Sequence, residues 1–86
     1  MLFEFGRPSD EAFWMKDTLI PLSIAFYEES GRIVTVRDMR PCTHEPCRLY
    51  RSSRPYVGAI EANRGYFQRH GIGVGDRVHV RIEGCG

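Results

Sequence analysis

The sequence predicts a mostly β or α+β fold: a compact antiparallel sheet or small barrel-like domain with one short helix near residues 63–70. Three observations predict it. Leu22, Ile24 and Phe26 alternate with Ser23, Ala25 and Tyr27, the period-two signature of an extended strand. Glu29-Ser30-Gly31 then supplies turn chemistry, and the β-branched run Arg32-Ile33-Val34-Thr35-Val36-Arg37 reads as the return strand of a hairpin. Near the C-terminus, Val78, Val80 and Ile82 alternate with Arg77, His79, Arg81 and Glu83, a half-buried final strand. At 86 residues, with 42% apolar and 27% charged, the chain is sized for one globular domain. Folding at this length buries roughly 60–65% of the unfolded chain's surface, enough for a core of modest stability.

Taken in order, Met1-Leu2-Phe3-Glu4-Phe5 is a short apolar strand that ends at Gly6 and Pro8. Phe13-Trp14-Met15-Lys16-Asp17-Thr18 is a second strand, and Pro21 breaks what precedes it. The hairpin follows, with Gly31 free to take the positive φ of a tight turn. Residues 40–55 form a long loop holding Pro41, Pro46 and Pro55, two closely spaced cysteines and four arginines. Loops of that length in small domains tend to carry function. Residues 56–62 form a strand. Asn63 then caps a short helix through Tyr66, Phe67 and His70, which Gly71 closes with Ile72 packing behind it. Gly73-Val74-Gly75-Asp76 is the turn into the last strand.

Charge excludes some classes. Twelve basic against eleven acidic residues leave a net charge of +1, which argues against a strongly basic nucleic-acid binder. The distribution is uneven: residues 1–36 carry three basic and six acidic side chains, residues 37–86 nine and five. Arg37, Arg40, Arg48, Arg51 and Arg54 crowd one stretch and could meet an anionic partner through paired hydrogen bonds. Against that, Lys16 is the only lysine, so the arginines also fit a compositional bias on a solvated surface. No apolar run approaches the ~20 residues of a membrane span. Glu4, Arg7, Asp10 and Glu11 interrupt any signal-peptide pattern, which by itself points to the cytoplasm.

Phe13-Trp14-Met15-Lys16-Asp17-Thr18-Leu19-Ile20-Pro21-Leu22, followed by Ile24-Ala25-Phe26, resembles the prokaryotic family known as domain of unknown function 192. Its pattern runs Phe-Trp-Met-Lys-Asn-Thr, then Ile-Pro-Leu-Asp-Ile-Ala-Phe. Asp38-Met39 with Pro41, Glu61-Ala62-Asn63, Gly71-Ile72 and Gly75-Asp76-Arg77-Val78 extend the likeness over nearly the whole chain. Asp17 stands where the family usually has Asn, and Ser23 where it usually has Asp, so an acidic charge has changed places. The resemblance implies a compact β-rich fold, members that often carry export signals, and no established activity. It also implies a segment before Met1-Leu2-Phe3 that this chain lacks, which would leave one edge of the sheet less covered.

Among the motifs, Cys42-Thr43-His44-Glu45-Pro46-Cys47 is the most suggestive. Cys42 and Cys47 can form a disulfide that closes a small loop, remain free thiols, or join His44 and Cys85 on a zinc ion. An odd cysteine remains in the disulfide case. Trp14 and Lys16 could hold an anionic or aromatic ligand; alternatively Trp14 and Met39 are core, and Lys16 pairs with Asp17, Asp38 or Glu61. Asp38 and Glu61 would serve acid–base chemistry only if they meet. No nucleophile elbow, triad spacing or phosphate loop is present, and no cofactor is expected.

The sequence therefore points to a non-enzymatic module for a small ligand or protein partner, with Trp14, Lys16, Asp38, Met39, Arg48 and Arg51 as candidate contacts. Two alternatives stand beside it. One is a metal- or redox-responsive domain working through Cys42 and Cys47 with Cys85. The other is an oligonucleotide-binding barrel using the arginines, with Tyr50 or Tyr56 for stacking.

Overall fold

The computed structural model describes residues 2–15, 20–44 and 46–78, apart from the side chains of residues 5–7 and 14. Its centre is a four-stranded antiparallel sheet in the order β1–β6–β3–β4, formed by β1 (Leu2–Ser9), β3 (Leu22–Tyr27), β4 (Ile33–Met39) and β6 (Tyr56–Asn63). A two-stranded sheet pairs β2 (Phe13–Trp14) with β5 (Leu49–Tyr50), and one short helix, α1, spans Tyr66–Arg69. The expected fold class, an antiparallel sheet with a single short helix, is the one observed.

The alternation in residues 22–27 does not divide core from solvent. It divides two cores. Ile24 and Phe26 pack on one face of the sheet with Met15, Met39, Tyr50, Tyr56 and Ala59. Ala25 and Tyr27 pack on the other with Ile33 and Phe67, flanked by Ile72 and Val78. On the first face Phe26 meets Tyr56 edge-on at 4.6 Å and Phe13 at 5.6 Å, and Phe13 meets Phe3 at 5.1 Å. Such edge-to-face pairs add about 0.5–1.5 kcal/mol each beyond their buried area.

The hairpin turn forms where expected. Gly31 has φ 87° and its N–H donates to the Glu28 carbonyl at 2.8 Å. The same turn is stitched to the C-terminal segment: Val78 N–H donates to Gly31 C=O at 2.7 Å and Ile33 N–H to Asp76 C=O at 2.7 Å. The expected final strand beyond Val78 lies outside the described residues.

Four expectations are corrected. First, Asn63 does not cap the helix; it is the last residue of β6, and α1 starts at Tyr66 after Gly65 with no side-chain cap. The helix does end as expected, with Gly71 N–H bonded to Gln68 C=O and Ile72 N–H to Phe67 C=O, the paired bonds that satisfy a helix's last carbonyls. Second, β1 does not stop at Gly6 and Pro8 but runs to Ser9, with its pairing to β6 irregular between Glu4 and Ser9. It is an edge strand, where the missing proline N–H is tolerated. Third, residues 40–55 are not structureless, because they contain β5 and are pinned to β4. Ser53 N–H donates to Thr35 Oγ1 at 2.9 Å, and the two hydroxyls lie 2.7 Å apart. Fourth, among the described residues of the strand expected over residues 13–18, Phe13–Trp14 is paired and Met15 is not; residues 16–19 lie outside the described part. Among the described residues no helix is long and apolar enough to cross a membrane.

One close approach ties three strands together. Glu4, Gly58 and Tyr27 lie side by side across β1, β6 and β3. Tyr27 crosses Gly58 to donate its hydroxyl to Glu4 Oε1 at 3.1 Å. A Cβ on Gly58 would lie 2.2 Å from the Tyr27 ring, so only glycine leaves that path open. Gly58→Ala should therefore lower unfolding free energy by about 1–3 kcal/mol in urea titration, since the added methyl must displace the buried Tyr27 ring from its path to Glu4. Burial, with the Glu4 carboxylate beside it, pushes the Tyr27 phenol up to about 12. The folded state thus holds the proton more tightly than the unfolded chain. The Tyr27 contribution to stability should be unchanged below about pH 9 and fall as pH rises through the unfolded value near 10. Tyr27→Phe should reduce that alkaline slope, leaving the part that the buried Tyr56 phenol contributes, read as midpoint denaturant concentration between pH 8 and 11.

Candidate functional site

The loop between β4 and β6 carries most of the chemistry. Cys42 and Cys47 are joined in a disulfide with Cα atoms 5.8 Å apart. A loop this short is stabilised by about 2 kcal/mol through the lost freedom of the unfolded chain. Both sulfurs lie near the His44 carbonyl oxygen, at 3.3 and 3.8 Å, and Cys42 packs against the core on the Phe26 face. The bond occupies both sulfurs that a zinc site on Cys42, His44 and Cys47 would need as thiolates. Cys85 lies outside the described residues.

Beyond the disulfide the chain lays β5 against β2, with Trp14 opposite Leu49 and Phe13 opposite Tyr50. Tyr50 is 5% exposed; its ring is core and its hydroxyl accepts the Arg40 N–H at 3.0 Å. The Arg48 guanidinium lies 5.3 Å over the Tyr50 ring centre, within cation–π range. Arg37 donates through Nε to the Arg51 carbonyl. Arg37, Arg48, Leu49, Tyr50 and Arg51 line a surface pocket of about 170 Å³, and no acidic side chain lines it.

A second cleft, of about 250 Å³, opens on the other face between β4 and α1. At its floor Ser23, 1% exposed, donates to Asp38 Oδ1 at 2.7 Å and accepts the Gly65 N–H at 3.0 Å. The serine standing where the family resemblance has an aspartate thus partners Asp38. One hydroxyl ties β3 to β4 and to the turn that starts α1.

The candidate ligand residues are therefore not one site. Arg37 and Asp38 are neighbours on β4 and point to opposite faces, Arg37 opposite Ile24 and Asp38 opposite Ser23. Arg48 and Arg51 join Arg37 on the first face. Met39 is 1% exposed and is core rather than a ligand contact. Trp14 is placed by its backbone pairing to Leu49, while its side chain and the whole of Lys16 lie outside the described part. Glu61 sits opposite Ile24, across the sheet from Asp38, so the two carboxylates do not form an acid–base pair. Burial raises the Glu61 carboxyl above its ordinary range. The stacking surface expected of an oligonucleotide barrel is also missing at these positions, because Tyr56 is 0% exposed and Tyr50 is nearly as buried. Among the described residues, no three His, Cys, Asp or Glu side chains are grouped to hold a metal ion.

Sequence reasoning left Arg37 out of the ligand set and did not pair Ser23 with Asp38. Both follow from a register shift between Phe26 and Tyr27. Continued straight from the Tyr27–Ile33 pair, the register would place Arg37 opposite Ser23. Ser23→Ala should leave the Gly65 N–H unsatisfied and cost about 1–3 kcal/mol. Asp38→Asn, which retains an acceptor for the serine, should cost less in the same denaturation assay.

The chain is similar to a solved structure from Sinorhizobium meliloti 1021, described as a "putative transcription regulator", at 34% identity and a TM-score of 0.76. The match covers 90% of this chain and 58% of that one. It is also similar to a protein of unknown function from Novosphingobium aromaticivorans DSM 12444, at 29% identity and a TM-score of 0.81, over 93% of this chain and 56% of that one. The chain thus spans less than two thirds of the length of either. No curated protein matches it. The model of the DUF192 family, described as an uncharacterized ACR, matches residues 1–80, and the chain belongs to that family.

Proposed function

We propose that the domain is a binding module rather than an enzyme, and that it takes a small anionic ligand, carboxylate or phosphate, at the arginine pocket beside β5. One observation carries this reading: Arg37, Arg48 and Arg51 converge on a concave surface with no carboxylate in its lining. Guanidinium groups are built for this task, since each presents a planar fork of donors to two oxygens. Two of the three are already oriented, Arg37 by the Arg51 carbonyl and Arg48 by the Tyr50 ring, which lowers the entropy lost on binding. Trp14, paired to Leu49, brings the family's signature segment to the same small sheet, and Lys16 follows it two residues later in the chain. Asp38 belongs to the opposite face and is no part of this pocket.

The reading is tested by titrating the isotope-labelled chain with inorganic pyrophosphate and with citrate at low ionic strength. Saturable amide shifts at Leu49, Tyr50 and Arg51 are expected. Arg48→Ala and Arg51→Ala should each weaken binding roughly tenfold, the lower end for a hydrogen bond to a charged group. Absence of binding, or binding by both variants as tight as that of the unsubstituted chain, overturns it. A single-stranded oligonucleotide that competed for the same residues with a steep salt dependence would replace the small ligand by nucleic acid.

A further inference from the structure

The disulfide and the arginine pocket share one short stretch of chain, and we infer that the Cys42–Cys47 bond is a redox control on that pocket, whose affinity for anions falls when the bond is reduced. This rests on the reading of the pocket as an anion site.

The argument starts from what holds each arginine. Arg51 is tied through its carbonyl to Arg37, and Tyr50 is sunk in the core with its hydroxyl on the Arg40 amide. Arg48 rests on the Tyr50 ring and precedes Leu49, which pairs with Trp14, so it is held on its C-terminal side. It directly follows Cys47, and the disulfide links Cys47 to Cys42, which packs against the core. Between the two cysteines the described side chains Thr43, His44 and Pro46 are exposed. On the N-terminal side the covalent bond is therefore the tether that fixes where the 48–51 segment starts. Both cysteines are only partly buried, so a reductant has access to them.

The step is thiol–disulfide exchange with a dithiol. One thiolate of the dithiol attacks a cysteine sulfur, the Cys42–Cys47 bond breaks, and a mixed disulfide forms. The second thiolate then displaces the cysteine. Two electrons and two protons pass to the protein as two thiols, and the dithiol leaves as its own disulfide. With the loop open, Arg48 samples many positions and the binding-competent fraction drops. Apparent affinity falls in proportion, by about five- to tenfold.

The test uses the Cys85→Ser chain, so that only this pair responds, with inorganic pyrophosphate as the probe. Affinity is measured oxidised and after treatment with dithiothreitol, with intact mass reporting the two added hydrogens. The reduced protein should bind about five- to tenfold more weakly, and adding Cys42→Ser with Cys47→Ser should give that weaker affinity in both buffers. Equal affinity after verified reduction overturns the inference, as does a cysteine-free variant that binds like the oxidised protein. Amide hydrogen exchange separates this failure from failure of the pocket reading. If pyrophosphate binds neither form, the anion site is lost, and the coupling is judged on Leu49 and Tyr50 alone. Faster exchange there on reduction, with β3 and β4 still protected, upholds it; unchanged exchange overturns it. Should the cysteine-free variant fail to fold, the oxidised and reduced comparison still decides.

Discussion

Burial of β3 on both faces is the constraint on which the rest of the molecule depends. A strand with Ile24 and Phe26 on one side and Ala25 and Tyr27 on the other cannot present either side to water without losing about 1.5–3 kcal/mol for each large side chain. A chain of 86 residues has little material with which to cover two faces. It covers one with β2 and β5, which contribute Phe13 and Tyr50, and the other with α1 and the segment through Ile72 and Val78. Each cover is minimal, and each is fixed to the sheet by specific polar contacts rather than by area alone.

Those contacts explain why polar groups sit so deep. Ser23 and Thr35 are buried, yet both are bonded, Ser23 to Asp38 and Gly65 and Thr35 to Ser53. Among the described residues no buried side-chain polar atom lacks a partner. A buried hydroxyl that is satisfied costs little and specifies which turn docks where. The arginine pocket follows from the same arrangement. The segment that covers the Phe26 face turns Cys42 and Tyr50 inward. Its arginines are left on the outer side, where Arg37 from β4 meets them.

What was legible in the residues was local. The hairpin could be read because alternation, turn chemistry and a β-branched run lie within sixteen consecutive positions, 22–37. The end of α1 could be read because its capping bonds are made within the same few residues. The start of α1 could not. Gly65 donates to Ser23, a residue far back in the sequence, so no local cap was needed and Asn63 was free to finish the strand. β5 escaped for a related reason: two residues are too few to show a period, and what makes Leu49–Tyr50 a strand is Phe13–Trp14 opposite it. The burial of Tyr50 and Tyr56 likewise belongs to their neighbours rather than to any pattern around them.

By itself the sequence determined the fold class, the central hairpin, the family and the pair of cysteines able to close a loop. Tertiary structure decided which of the candidate residues share a surface. A one-residue shift in pairing between Phe26 and Tyr27 sends Arg37 toward Arg48 and Arg51, and Asp38 toward Ser23 on the opposite side. Because side chains alternate along a strand, one step of register exchanges the two faces. That step is set by how the sheet packs against both of its covers, which no short stretch of sequence records.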